Sequence, residues 1–309
     1  VHRDILTPEG ATFRADPWPG DREFLASTDV WFRPVNFANA PDGTLWLIDF
    51  YREYIEEPAS IPEAIKQRLK LDFYRGTDRG RLYRIVPAKG SVPRRSGTEA
   101  GKATREQLVD WLGAQNGWHR QTAQRLLVER KDIAAVPLLE VRLKDSDPLA
   151  RLHALRTLEG LGKLTRAQAE AALRDPEPRV RVHALQAAEA FLPESGRAIL
   201  ALGTDPDPRV QFQLALTLGG MPGTEPLLAK IVARNPEDVW FRNAVLTCPP
   251  ERALGLLREL VTAQRSFFAK TSRGKEEFIE RLSMTAGALG DLEHIRGFVQ
   301  LAATHPTLA

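Results

Sequence analysis

The sequence is short of cysteine. Cys248 is the only one in 309 residues, so these residues hold no internal disulfide, no Cys-rich zinc site and no CxxCH haem attachment. Long apolar runs are missing too, and none approaches the eighteen or so residues that a membrane span needs. Charge of one sign is never concentrated: the formal net charge is +3 and no block of five like charges occurs. Phosphate-backbone binding draws on a basic stripe, so nucleic acid is not an expected partner. An initiator Met and a signal-like start are absent before Val1 and His2. Either a leader has been removed or the chain is a piece of something longer. Also missing are a Gly-x-Ser-x-Gly elbow, a Ser-His-Asp arrangement, a phosphate-cradling Gly-rich loop and any His-Glu dipeptide.

What is present falls into two regimes. Before about residue 90, Pro, Gly and aromatics are dense and short apolar runs alternate. Phe32–Phe37, Thr44–Asp49 and Arg81–Val86 are strand candidates, with Pro41-Asp42-Gly43 as a turn. Ile61-Pro62 opens a short helix over Glu63–Leu71. Three strands and one helix make too small a core and leave bare edges. Residues 1–88 therefore resemble one blade of a larger sheet structure. Residues 89–104 are rich in Pro, Gly and Ser at their start and are expected to be a linker.

From 105 to 309 Ala and Leu dominate and a repeat emerges. His119-Arg120, Arg151-Leu-His153, Arg181-Val-His183, Gln211-Phe-Gln213 and the looser Phe241-Arg242 align at a spacing of about thirty residues. Asp147-Pro148, Asp175-Pro176 and Asp205-Pro206 recur upstream as expected helix starts, Asp as cap and Pro at the first helical position. Each unit should hold two helices, such as Arg179–Phe191 and Ser195–Leu202, that bury their apolar faces only by stacking on neighbours. Glu251–Arg265, Lys275–Gly287 and Asp291–Ala303 read as a terminal cap. The fold class is mostly α, a HEAT-like solenoid preceded by a small β region.

The repeats show little chemistry. His153 and His183 occupy equivalent positions, and neighbouring helices pack about ten ångströms apart, too far for shared ligation. Arg120, Arg151, Arg181 and Arg242 could line an anion site, or could bond Asp residues between repeats. Cys248, before Pro249-Pro250, reads as a buried thiol, and His294 and His305 stand alone. No catalytic residue and no metal ligand is assigned. In the β region, Asp29, Arg33, Asn36, Asp49, Tyr51, Arg52, Glu53, Asp78 and Arg79 crowd the strand ends. They could line the mouth of a closed propeller, where an Arg can hold a carboxylate bidentately. Equally, they could pair with one another to fasten a loop.

The strings over residues 24–35 (Phe24 to Val35), 41–52 (Pro41 to Arg52) and 78–85 (Asp78 to Ile85) resemble the propeller end of large membrane-bound dehydrogenase-like proteins of planctomycetes and verrucomicrobia. In those proteins a quinoprotein glucose/sorbosone dehydrogenase-like propeller precedes HEAT repeats and often a c-type cytochrome domain. The resemblance implies pyrroloquinoline quinone (PQQ) and calcium in the intact parent, a sugar or alcohol substrate, and a periplasmic or extracellular location. It also implies a protein partner on the concave face of the repeats. Trp31-Phe-Arg33-Pro-Val35 is similar to an Arg-x-Arg-Asp-Val string whose arginines approach the acidic quinone. Arg33 matches the second arginine, while Trp31 and Pro34 replace the first arginine and the aspartate. Trp31 could stack on a flat ring. The catalytic His would lie in other blades, so this chain alone is expected to be inactive.

Overall fold

The chain was analysed as a computed structural model, which describes residues 1–20, 22–55, 57–89, 99–263 and 272–304. Most of the expected linker and His305 lie outside the described residues. Contacts divide the chain into two compact units: Val1–Ile5 with Ala15–Leu138, and Leu6–Arg14 with Leu139–Ala309.

β1 (Asp4–Glu9) and β2 (Thr12–Pro17) form a two-stranded hairpin that the sequence reading did not anticipate. Gly10, at φ +55°, supplies the left-handed residue of its turn. In the first unit β3 (Pro34–Asn39), β4 (Leu45–Asp49) and β5 (Arg81–Ile85) form an antiparallel sheet in that order, with β4 central. Leu47 of β4 faces Phe37 on one side and Tyr83 on the other, and is fully buried. A bulge between Pro34 and Asn36 shifts the β3 register. The turn into β4 is locked by Asp42, whose carboxylate accepts from the Thr44 amide at 3.0 Å and hydroxyl at 2.6 Å and also meets Arg84. Between β4 and β5 lies α1 (Glu63–Leu69), with Pro62 at its cap position rather than in its first turn. α2 (Arg105–Trp111) starts with a Thr104/Gln107 capping box, and α3 (Gly117–Glu129) starts at Asn116. Asn116 also donates to the carbonyls of Ala40 at 2.9 Å and Pro41 at 3.2 Å, tying the sheet turn to the start of α3.

Helical hairpins follow one another from α4 onward. α4 (Val136–Arg142) is followed by the pairs α5 (Pro148–Gly160) and α6 (Arg166–Ala172), then α7 (Pro178–Ala188) and α8 (Gly196–Leu200). Next come α9 (Pro208–Gly219) with α10 (Glu225–Arg234), and α11 (Val239–Leu246) with α12 (Ala253–Ala263). α13 (Arg273–Ala288) and α14 (Leu292–Thr304) close the series. Within the second unit α7 packs between α5 and α9, α9 against α11, and α10 against α12. The cause is visible in the first helices. Ala150, Ala154, Leu155 and Leu158 in α5, their counterparts Val180, Ala184, Leu185 and Ala188 in α7, and Val210, Leu214, Ala215 and Leu218 in α9 are all buried. That spacing is one stripe of a helix, and a stripe can leave water only against a neighbour. The chain is thus mostly α, a HEAT-like stack with a small β region.

One detail corrects the sequence reading. The caps of α5, α7 and α9 are Asp147, Glu177 and Asp207, each followed by the helix-opening Pro148, Pro178 or Pro208. Asp175-Pro176 and Asp205-Pro206 lie two residues earlier, where they align with Asp145 and not with Asp147. Their carboxylates accept from the amides of Glu177 and Asp207, both at 2.9 Å, and so shape the turn before the helix.

At the far end His294 joins α14 to the preceding repeat. Its Nδ1 is 2.6 Å from an Asp291 carboxylate oxygen and its Nε2 is 3.1 Å from the Glu251 carbonyl. Two acceptors require two N–H donors, so the ring is held as the imidazolium. The Asp291 bond, then the Glu251 bond, raise its pKa above the ordinary 6.5. A raised folded-state value means the contribution is complete below the unfolded value and lost as pH climbs through the folded one. Thermal melts should therefore show a lower Tm as pH rises above the ordinary histidine value, with His294→Ala flattening that slope. An unchanged slope in the variant would refute the bridge.

Candidate functional site

The polar residues at the strand ends of the first unit converge on the loop after β4. Asp49 has no solvent exposure, and its Oδ1 accepts from the amides of Arg33 at 2.8 Å and Tyr51 at 2.9 Å. Its Oδ2 has no hydrogen-bond partner among the described residues. Tyr51 sits at φ +52°, a conformation costly for a residue with a Cβ, and the Asp49 bond helps hold it there. Replacing Asp49 by Ala should cost about 2 kcal/mol, from two stranded amides. Asp49→Asn should cost less, since an amide oxygen can still accept. Hydrogen exchange at the Arg33 and Tyr51 amides reads this directly, and equal protection in wild type and Asp49→Ala would refute it.

The arginines are spent on main chain. Arg33 donates to the carbonyls of Phe32 at 3.2 Å and Glu53 at 3.0 Å. Arg52, nearly buried, donates to the carbonyls of Tyr51 at 3.2 Å, Arg79 at 2.9 Å and Gly76, so its guanidinium pins the β4–β5 connection in place. Trp31 packs on Tyr51, with ring centroids 5.4 Å apart, and Arg75 lies over its ring. A Cβ on Gly76 would stand 2.8 Å from the Trp31 ring, and that approach, at φ +85°, requires glycine. Asp29 caps the Trp31 amide at 3.0 Å and meets Arg81, which also lies 3.5 Å from the Tyr51 ring centroid. Asn36 is exposed and accepts from the Phe37 amide. Asp78 and Arg79 are exposed, 3.8 Å apart. Together with Asp49 and Arg52 they line an open cleft of about 460 Å³. Arg33 and Trp31 thus both have partners within the loop itself.

The repeat arginines act between repeats. Arg151 meets Asp175 through two bonds of 2.7 Å, and Arg181 meets Asp205 at 2.7 and 2.9 Å. Each also donates to the carbonyls of its own turn, Arg151 to Asp145 at 2.8 Å and Arg181 to Asp175 at 2.8 Å. Every such arginine therefore fixes two turns at once. In the next unit the pattern lapses at both ends: Gln211 replaces the arginine and Asn235 stands where the aspartate would be. Among the described residues Arg120 donates to the carbonyls of Ala114 and Gln115, and Arg242 to that of Pro236. His183 Nδ1 is buried without a partner among the described residues, and burial, aided by Arg156, depresses its pKa. Burial pushes the Cys248 thiol up, which makes it unreactive. Among the described residues no three His, Cys, Asp or Glu side chains are grouped to hold a metal, and no helix is long and apolar enough to cross a membrane.

Sequence reasoning missed a pair of equivalent grooves in the second unit. One, of about 440 Å³, lies between α4 and α6, and the other, of about 430 Å³, between α6 and α8. Moving along by one repeat converts Glu140 to Glu170, Leu143 to Leu173, Lys144 to Arg174 and Ala171 to Ala201. The floor of each carries one Arg–Asp pair, Arg151–Asp175 or Arg181–Asp205. In the following interval Leu228, Ile231 and Val232 stand at the positions of Ala198, Ala201 and Leu202, and all three are fully buried. A run of Ala on a second helix where a later repeat has Leu, Ile and Val is the signal that could have found the grooves.

Residues 1–89 match a family described as Domain of unknown function (DUF7133). No curated protein matches the chain. Among solved structures, the X-ray structure of the Escherichia coli protein YibA is similar at 18% identity and a TM-score of 0.36, over 68% of this chain and 93% of that one. A score that low carries no argument here, and the HEAT-like assignment rests on the repeat geometry itself.

Proposed function

We propose that this chain is a non-catalytic docking scaffold, a HEAT-like stack that receives a protein partner on its second-helix face. The observation that carries the reading is the groove pair. Small side chains line both grooves, whereas the Arg33 and Arg52 guanidinium groups of the β region donate to its own main chain. Residues 1–88 are proposed as the last blade of a larger propeller, 89–104 as a linker and 105–309 as the scaffold. In the finer form of the reading the propeller belongs to a PQQ-dependent sugar or alcohol dehydrogenase-like protein, periplasmic or extracellular. Quinone and calcium would be held by other blades, and the partner would be a c-type cytochrome domain that takes the electrons. The three motif strings support this. So do Val35, Ile48 and Leu82, which expose 55%, 44% and 66% of their surface on a three-stranded sheet, as residues covered by adjoining blades would.

Two measurements test the reading. Dye reduction with added PQQ, calcium and a panel of sugars and alcohols should stay at background for this chain, and robust turnover would overturn its non-catalytic assignment. A photo-crosslinking residue at Ala171 or Ala201, in the protein within its own host, should trap one defined partner that exposed positions outside the grooves do not. No crosslink at either groove position would overturn the docking assignment.

A further inference from the structure

We infer that the second unit carries a hinge between the α9–α10 and α11–α12 hairpins, opening at the edge that holds Gln211 and Asn235 and pivoting on Arg252. This conformational device goes beyond the docking reading and does not depend on it.

The two preceding boundaries are pinned. At each, an arginine on a first helix closes its fork on the aspartate of the next turn, Arg151 on Asp175 and Arg181 on Asp205. Its remaining nitrogen holds a carbonyl of the helix's own turn. A bidentate pair fixes direction as well as distance, so α5, α7 and the start of α9 are kept in one register.

At the next boundary the fork is gone. Gln211 turns back to the Leu202 carbonyl at 2.7 Å, and its Oε1 is buried with no partner among the described residues. Asn235 donates to the Ile231 carbonyl at 3.1 Å, within the end of its own α10. Phe212 meets Phe241 edge-on there, with ring centroids 6.0 Å apart. Hydrophobic contact is non-directional and tolerates a sliding that a bidentate pair does not.

The other end of α9 is tied down. Arg252, just before α12, donates Nη1 to the carbonyls of Leu218 and Gly219, both at 2.8 Å. Its Nη2 reaches the Thr224 hydroxyl at 2.8 Å and its Nε the Glu225 carboxylate at 2.6 Å. Residues 211 and 218 are seven positions apart, about 10 Å along a helix axis. One boundary is therefore pinned at one edge and joined by apolar packing at the other, and such a joint turns about its pinned edge. Both grooves lie on the clamped side, so α11–α14 is the arm that moves.

The test is double electron–electron resonance on the full chain, with spin-labelled cysteines at exposed positions in a Cys248→Ala background. Ser146→Cys with Pro206→Cys spans the two clamped boundaries. Pro176→Cys with Val239→Cys spans the hinge at its open edge, and Glu194→Cys with Pro250→Cys spans it at the pinned edge. The Pro176/Val239 distance distribution should be at least about twice as wide as the other two. Gln211→Arg with Asn235→Asp, which restores the fork, should narrow it to the Ser146/Pro206 width. Arg252→Leu should widen the Glu194/Pro250 distribution. Circular-dichroism melts establish that each variant folds, and the comparison of the three pairs needs no change at Gln211, Asn235 or Arg252. Equal widths at all three pairs, a pinned edge as broad as the open one, or an open edge that stays broad with the fork restored would overturn the inference.

Discussion

Asp205→Ala is expected to lower the unfolding free energy of the chain by about 3 kcal/mol, toward the lower end for stranding one member of a buried ion pair. Arg181 is 11% exposed and loses two charge-assisted bonds of 2.7 and 2.9 Å. The Asp207 amide, just before α9, loses its acceptor as well. The damage falls on an interface between repeats. In a stack whose stability is a sum of units and nearest-neighbour terms, weakening one interface also lowers cooperativity. Urea denaturation followed by circular dichroism should therefore show an earlier midpoint and a broader transition. Asp205→Asn should fall between the two, because an amide oxygen can replace one of the bonds without the charge. A variant that melts like the wild type would mean the pair is ornamental.

Phe241→Ala is expected to cost a similar amount, about 3–4 kcal/mol. Phe241 is fully buried at the start of α11 and meets Phe212 edge-on at 6.0 Å. α11 has eight residues, and only Phe241, Ala244 and Val245 among them are buried. A helix that short has little intrinsic stability and depends on what its apolar face covers. The adjacent Trp240 is 49% exposed, so Trp240→Ala should cost under about 1 kcal/mol. Measured side by side, the two aromatic deletions separate packing from residue size. Equal losses would contradict the assigned face of α11.

The repeat was legible because its signals are local and redundant. A capping acid, a proline at the first helical position and an arginine one turn later recur together, and the apolar stripe that follows has a helical period. The capping register was not legible. Two acids stand two residues apart in each turn, and in the units at 175 and 205 both are followed by proline. The dipeptide alone cannot say which proline opens the helix. Inter-repeat use of Arg151 and Arg181 was one of two readings, and the geometry supports it because both guanidinium forks are filled by Asp175 and Asp205. In the β region the strands were found within a few residues. The roles of Arg33 and Arg52 were not, since a guanidinium that clasps carbonyls depends on how the loop closes. The β1–β2 hairpin escaped because almost every residue in it is half or fully exposed, so it has no buried alternation to read. The grooves escaped for a different reason. Alanine in a helix reads as a good helix former, and the space it leaves becomes visible only beside the next repeat.

The stacking itself is tested most directly by a double-mutant cycle on Arg181→Leu and Asp205→Leu, with unfolding free energies from urea titration. Contact across the repeat boundary predicts a coupling of about 1.5–3 kcal/mol, the double variant being far less destabilised than the two single losses added together. Strict additivity would mean that the two residues do not meet, and that the hairpins do not pile in this register.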